Sequence, residues 1–131
     1  MTHPILQLLN DKGKQIKIAL IGATNDSRKY GNIIYKDLKS KNLQVYGINP
    51  KATTIDGDKA YHSLKELDFR PDILNFVLPP KLGFEVVKEA VELGLDNFWF
   101  QPGAESEEIL KYLEEHKKTS LAHACVMVAT R

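Results

Sequence analysis

The chain has 131 residues, 43% hydrophobic and 27% charged; it suits one domain, 1–131, that buries roughly two-thirds of its unfolded surface without staples. A net charge of +1 gives no electrostatic case for nucleic acid or an anionic membrane, and a single cysteine, Cys125, excludes an internal disulfide. No apolar run nears the roughly 20 residues that span a bilayer, and Met1 to Leu6 lacks the features of a secretory signal, so a cytoplasmic protein is expected.

Pro4 to Asn10 spaces Ile5, Leu6, Leu8 and Leu9 as a helical stripe, with Pro4 tolerated in the first turn. Ile16 to Ile21 is a short apolar run of the kind that fits a strand buried on both faces of a parallel sheet. It stops at Gly22, which can take φ > 0 and lets a ligand approach the backbone. Past the loop Thr24 to Tyr30, Gly31 opens a helical pattern with Ile33, Ile34 and Leu38 apolar. Strand, glycine-bearing loop and helix N-terminus in that order make an anion site, because the first amides of a helix lack internal partners. On this reading Gly22→Val abolishes ligand binding and leaves the fold cooperative.

Leu43 to Ile48 reads as a second strand, ended by Asn49-Pro50-Lys51. Thr53 to Lys59 is a polar loop or short β-ribbon, Ala60-Tyr61 a brief strand, and Ser63 caps a short helix through Leu67. Ile73 to Leu78 is a further buried strand, stopped by Pro79-Pro80. The next helix carries Phe84, Val87, Ala90, Val91 and Leu93 inward and Glu85, Lys88, Glu89 and Glu92 on a solvated face, with Gly94 at its end. Asn97 to Gln101 is a strand that places Phe98 and Phe100 on one face and Trp99 on the other, with core packing the main reading of Trp99 and a stacking platform for a base the alternative. Pro102-Gly103 cuts it, and a helix follows from about Glu105 to His116. Ser120 to Val128 is a last apolar run; as a strand it puts His123 and Cys125 on one face, with Cys125 buried at its end.

Strands alternating with helices mean βαβ units and a parallel sheet. Gly22, Asn49-Pro50-Lys51, Leu78-Pro79-Pro80 and Gln101-Pro102-Gly103 then all fall on its carboxyl edge, where open α/β sheets bind ligands. The dinucleotide fingerprint G-x-G-x-x-G is absent, since Ala23, Thr24 and Asn25 follow Gly22. An NAD site also wants an acidic residue at the end of the second strand, where this chain has Lys51. A cation there suits a phosphorylated ribose, whether the 2′-phosphate of NADP or the 3′-phosphate of coenzyme A.

Gly22-Ala23-Thr24 with Arg28 and Tyr30-Gly31, then Asn49-Pro50-Lys51, Val77-Leu78-Pro79-Pro80, Gln101-Pro102-Gly103-Ala104 and Cys125-Val126-Met127-Val128 carry a resemblance. In that order and spacing they resemble the single-domain coenzyme A-binding proteins, which are similar to the N-terminal domain of the succinyl-coenzyme A synthetase alpha subunit. The resemblance implies a Rossmann-like three-layer α/β sandwich with a mostly parallel five- or six-stranded sheet. It also implies that coenzyme A binds at the carboxyl edge, with the Gly22–Gly31 loop and Lys51 on the phosphates. The Val77–Pro80 and Gln101–Ala104 loops would flank the pantetheine or adenine. Gln101-Pro102-Gly103 departs from the Thr-Glu-Gly of the synthetase, and the synthetase's phosphohistidine lies in a second domain, so catalysis does not carry over.

The resulting expectation is non-catalytic binding of coenzyme A or an acyl-coenzyme A, with no metal. An NADP-binding oxidoreductase subunit and an interaction module with a vestigial nucleotide pocket remain alternatives, and a homodimer or a separate protein partner stays open. Cys125 and His123 lack a third orienting group for nucleophilic catalysis, and a mixed disulfide between Cys125 and the ligand thiol is a minor alternative.

Overall fold

The computed structural model of the chain describes residues 2–131. Helix α1 (Pro4–Lys12) leads through a 3-10 turn to β1 (Lys17–Ile21), α2 (Tyr30–Ser40) and β2 (Gln44–Ile48). A ribbon of β3 (Thr54–Ile55) and β4 (Asp58–Lys59) follows, then a 3-10 turn at Leu64–Glu66. The second half comprises β5 (Ile73–Phe76), α3 (Pro80–Glu92), β6 (Asn97–Phe100), α4 (Glu107–Glu115), β7 (Thr119–Leu121) and α5 (Val126–Ala129).

The five long-range strands form one parallel sheet in the order β2-β1-β5-β6-β7. Alternation along the strands sorts their side chains between two cores. Ile18, Leu20, Ile73 and Trp99 pack with α1, α2 and α5 on one face. Ala19, Ile21, Leu74, Phe76, Phe98 and Phe100 pack with α3 and α4 on the other. The result is a Rossmann-like three-layer α/β sandwich. Trp99 is fully buried and its Nε1 donates to the Ala124 carbonyl at 2.8 Å, so it is core, as its position between two phenylalanines predicts.

Chain direction across the sheet reverses between β1 and β5, because β2 lies to one side of β1 and the later strands to the other. Ile21 is in register with both Ile48 and Phe76, so β1, β2 and β5 finish level and their loops diverge from one place. Two glycines set the spacing there. Gly22 has φ +106°, and a Cβ on it would lie 2.8 Å from Val77 Cγ1 and 3.1 Å from Leu78 Cγ. A valine at position 22 is therefore strained by its backbone and blocked by the core, so it damages the fold as well as any ligand site. Gly31 is tighter still: a Cβ would lie 2.1 Å from the Gly22 carbonyl oxygen.

Four local expectations are corrected. Ser63 makes no capping bond; the His62 amide donates instead to the Glu66 carboxylate at 3.0 Å, and only a 3-10 turn forms. Tyr61 contributes a single parallel bridge to Ile48 in place of a strand, and β5 stops at Phe76. The last apolar run is not one strand. Strand β7 ends at Leu121, His123 takes φ +63°, and Cys125 is the residue before α5. His123 points to Glu105, with Nδ1 3.6 Å from the carboxylate, and does not pair with Cys125.

Gly31→Ala tests the helix–strand contact. Alanine gains about 1 kcal/mol of helix propensity, but the overlap with the Gly22 carbonyl forces a backbone shift whose cost is about 1–3 kcal/mol or more. A net loss of stability in chemical denaturation, with no change in its denaturant slope, is the expected outcome. Unchanged or raised stability would show that α2 moves freely over β1.

Candidate functional site

A cavity of about 1210 Å³ opens at the carboxyl ends of β1, β2, β5 and β6. That exceeds the roughly 300–1,000 Å³ of common small-ligand pockets, so there is room for an extended ligand. Of the residues singled out in the sequence, Gly22, Ala23, Thr24, Arg28, Tyr30, Gly31, Asn49, Pro50, Leu78, Pro79, Gln101, Pro102 and Gly103 all line it. Lys51 does not.

The glycine corner presents unpaired backbone amides. No side chain caps α2, and among the described residues no protein group accepts from the amides of Tyr30 and Gly31. Uncapped first-turn amides carry the positive end of the helix dipole. Lys29 and Arg28 also line this end of the cavity. Arg28 is clipped back on its own loop: Nε and Nη2 each donate to Asp26 at 3.0 Å, and the Arg28 amide donates to the same carboxylate at 3.0 Å. These bonds hold the Asp26 carboxyl down at about 2, well below the usual carboxylate range. Tyr30 is 66% exposed at the mouth, with its ring free to cover a bound group.

Asparagines brace the loop. Asn32 Nδ2 donates to the Thr24 carbonyl at 2.9 Å, and Asn49 Nδ2 donates to the Ala23 carbonyl at 2.9 Å. Asn25 ties the loop to the ribbon by donating to the Thr54 carbonyl and accepting from the Asp56 amide. Asn49 Oδ1 also accepts from the amides of Lys51 and Ala52, at 2.8 and 3.0 Å. That turn rolls the chain away from the cavity after Pro50, which leaves Lys51 exposed at the rim. Asn49 is thus a brace, since its side-chain amide is consumed by backbone.

At the far end, Gln101 is buried and spends its side chain internally. Oε1 accepts from the Val126 amide at 2.8 Å, and Nε2 donates to Cys125 Sγ at 3.3 Å. Cys125 is half-buried and lines the cavity. Among the described residues, no group of His, Cys, Asp and Glu could hold a metal ion. The sequence reading missed one wall. Leu82, Val86 and Glu89 of α3 face the cavity, and Glu89 belongs to this wall rather than to a solvated face. Their i, i+4, i+7 spacing was the available signal.

Residues 16–131 match the protein family described as "CoA binding domain". A conserved protein of Pyrococcus furiosus of known structure is 50% identical, with a TM-score of 0.84, over 86% of this chain and 97% of that one. YneT of Bacillus subtilis is 28% identical over 113 residues, 86% of this chain and 84% of YneT. The alpha subunit of an ADP-forming acetate–CoA ligase II from Pyrococcus furiosus is 37% identical over 79 residues, 60% of this chain but 17% of that subunit.

Asp26→Asn tests the anion corner. The substitution removes a negative charge and releases the Arg28 guanidinium, so inorganic pyrophosphate should bind severalfold more tightly at low salt, with the gain shrinking as salt rises. Calorimetric titration of both proteins measures it. Weaker binding in the variant would mean that the clip itself shapes the anion site.

Proposed function

The chain belongs to the CoA binding domain family, and from that premise we propose that its cavity holds coenzyme A or an acyl-coenzyme A without transforming it. The observation that carries this reading is the continuity of the cavity from the free amides of Tyr30 and Gly31 to the Cys125 wall. A ligand with phosphates at one end and a long, mostly apolar arm fits that shape. The diphosphate takes the glycine corner, beside Lys29 and Arg28. The arm runs between Leu78-Pro79 and Pro102-Gly103, and the ribose 3′-phosphate reaches toward the rim at Lys51.

Chemistry on the ligand finds little support in these residues. Cys125 contacts the Gln101 amide, which is no base, and His123 is turned to Glu105. The Pyrococcus furiosus ligase subunit is acetate-activating by its name, and the match covers a minor part of it. We therefore read the domain as a carrier or sensor of the cofactor, with a homodimer or another chain left to be identified. None of the relatives named above points to NADP.

A comparison of coenzyme A with its 3′-dephospho form tests the assignment by calorimetry. Because Lys51 is solvent-exposed, loss of the 3′-phosphate should weaken binding only roughly two- to fivefold, the range of an exposed ion pair. Lys51→Ala should remove that difference and leave the dephospho form unaffected. Equal affinity of the two forms for the unaltered protein would take the 3′-phosphate away from Lys51, and absence of coenzyme A binding would end the reading.

A further inference from the structure

We propose that Lys41 is a positioning residue for the cavity, holding the C-terminal segment in place as the wall against which the arm of the ligand packs; the proposal rests on the coenzyme A reading above. Cys125 and Met127 line the cavity, and Lys41 does not. Every backbone–backbone hydrogen bond from Cys125 to Arg131 stays within that segment. Helix α5 inside it has four residues, too few to persist without tertiary support. At its start, Val126 is fully buried and its amide donates to Gln101 Oε1 at 2.8 Å. At its end, Lys41 Nζ donates to the Met127 carbonyl at 2.8 Å and to Thr130 Oγ1 at 3.1 Å. Thr130 Oγ1 in turn donates to the Val126 carbonyl at 2.7 Å, which ties the two ends of the turn together.

An ammonium has three N–H donors and no acceptor. Lys41 spends the third on Asp37 Oδ2 at 2.6 Å, so its position is fixed from α2 and its grip falls on α5. Lys41 caps the C-terminal end of α2, the helix whose first amides form the glycine corner. With 11 residues, α2 is about 16 Å long at 1.5 Å per residue. One rigid helix therefore sets the distance between the corner that would take the phosphates and the wall that would meet the arm. Without the ammonium, α5 keeps only the hold on its start, and Met127 can swing out of the wall. The corner keeps its shape, because the approach of Gly31 to the Gly22 carbonyl fixes α2 from its other end. Loss of Lys41 should thus be felt by a ligand with an arm and not by one without.

Calorimetric titration of coenzyme A and of adenosine 3′,5′-bisphosphate, which has no pantetheine arm, into the unaltered protein, Lys41→Met and Thr130→Val tests this. Lys41→Met should lower coenzyme A affinity about tenfold, the scale of one hydrogen bond to a charged group, and leave bisphosphate affinity unchanged. Thr130→Val removes one contact of Lys41 without altering α2, and should give the same split at smaller size. Coenzyme A should slow amide hydrogen exchange at residues 125–131 of the unaltered protein, and slow it less in Lys41→Met. Equal losses for the two ligands would mean that Lys41 only supports α2, and would overturn the assignment. If all three proteins bind coenzyme A equally well, the assignment of Lys41 is wrong and the coenzyme A reading survives. If the unaltered protein binds no coenzyme A, both fall together.

Discussion

The approach of Gly31 to the Gly22 carbonyl is the constraint on which the site depends. With 2.1 Å between that oxygen and the place of the missing Cβ, only a residue without a side chain at position 31 allows α2 to start so close above β1, while Gly22 makes room for Val77 and Leu78. The approach aims the first amides of α2 into the gap where β1 and β5 diverge. Were the helix held further out, those amides would meet bulk water and the corner would lose its concentrated positive potential. Gly47 repeats the device one strand over, where a Cβ would lie 2.9 Å from Ile55 Cδ1 and 3.1 Å from Ala23 Cβ. The ribbon can therefore fold down onto β2 and buttress the loop from outside.

Preorganisation of that loop comes from amide side chains rather than from apolar packing. Asn25, Asn32 and Asn49 each use the double valence of a carboxamide, or half of it, to tie backbone that cannot join the sheet. Hydrogen bonds of this type are individually modest, about 1 kcal/mol each. Their value lies in geometry, because a loop fixed before binding loses less entropy on binding. The Asp26–Arg28 clip works differently, since it holds a cation beside the glycine corner in a paired state, which an anion arriving there would have to compete for.

How much of this was legible in the sequence depended on whether a local pattern or a distant partner decided each feature. The run into Gly22, the alternation around Trp99 and the proline-stopped strand ends follow from burial on a parallel sheet, and the structure keeps them. The C-terminal run looked like a strand because it is apolar. It turns instead because Trp99 Nε1 claims the Ala124 carbonyl and Gln101 Oε1 claims the Val126 amide, bonds spanning about a quarter-hundred residues that no local pattern announces. Proximity to a strand end places Lys51 on the site, but Asn49 draws its backbone into a turn that carries it outward. The charge of Glu89 places it in solvent, although Leu82 and Val86 share its helical face and line the cavity with it.

Two unpartnered buried oxygens show why burial by itself is a poor guide to function. Asn75 Oδ1 lies inside the sheet, with the residue fully buried, and its Nδ2 makes only long contacts, 3.5 Å to the Trp99 carbonyl and 3.4 Å to Gln101 Oε1. Asn75 does not line the cavity, so its cost falls on stability and on the order of the Gln101 side chain beneath the Cys125 wall. Glu89 Oε1 bears the same kind of cost, on a half-buried residue that lines the cavity with other atoms. An unsatisfied group becomes a recognition element when a partner can arrive from outside, because the free energy withheld in the empty state is then released on binding. Neither oxygen is open to a ligand, so neither marks a recognition element; what the cavity offers a ligand is set by the loops that Gly22 and Gly31 position.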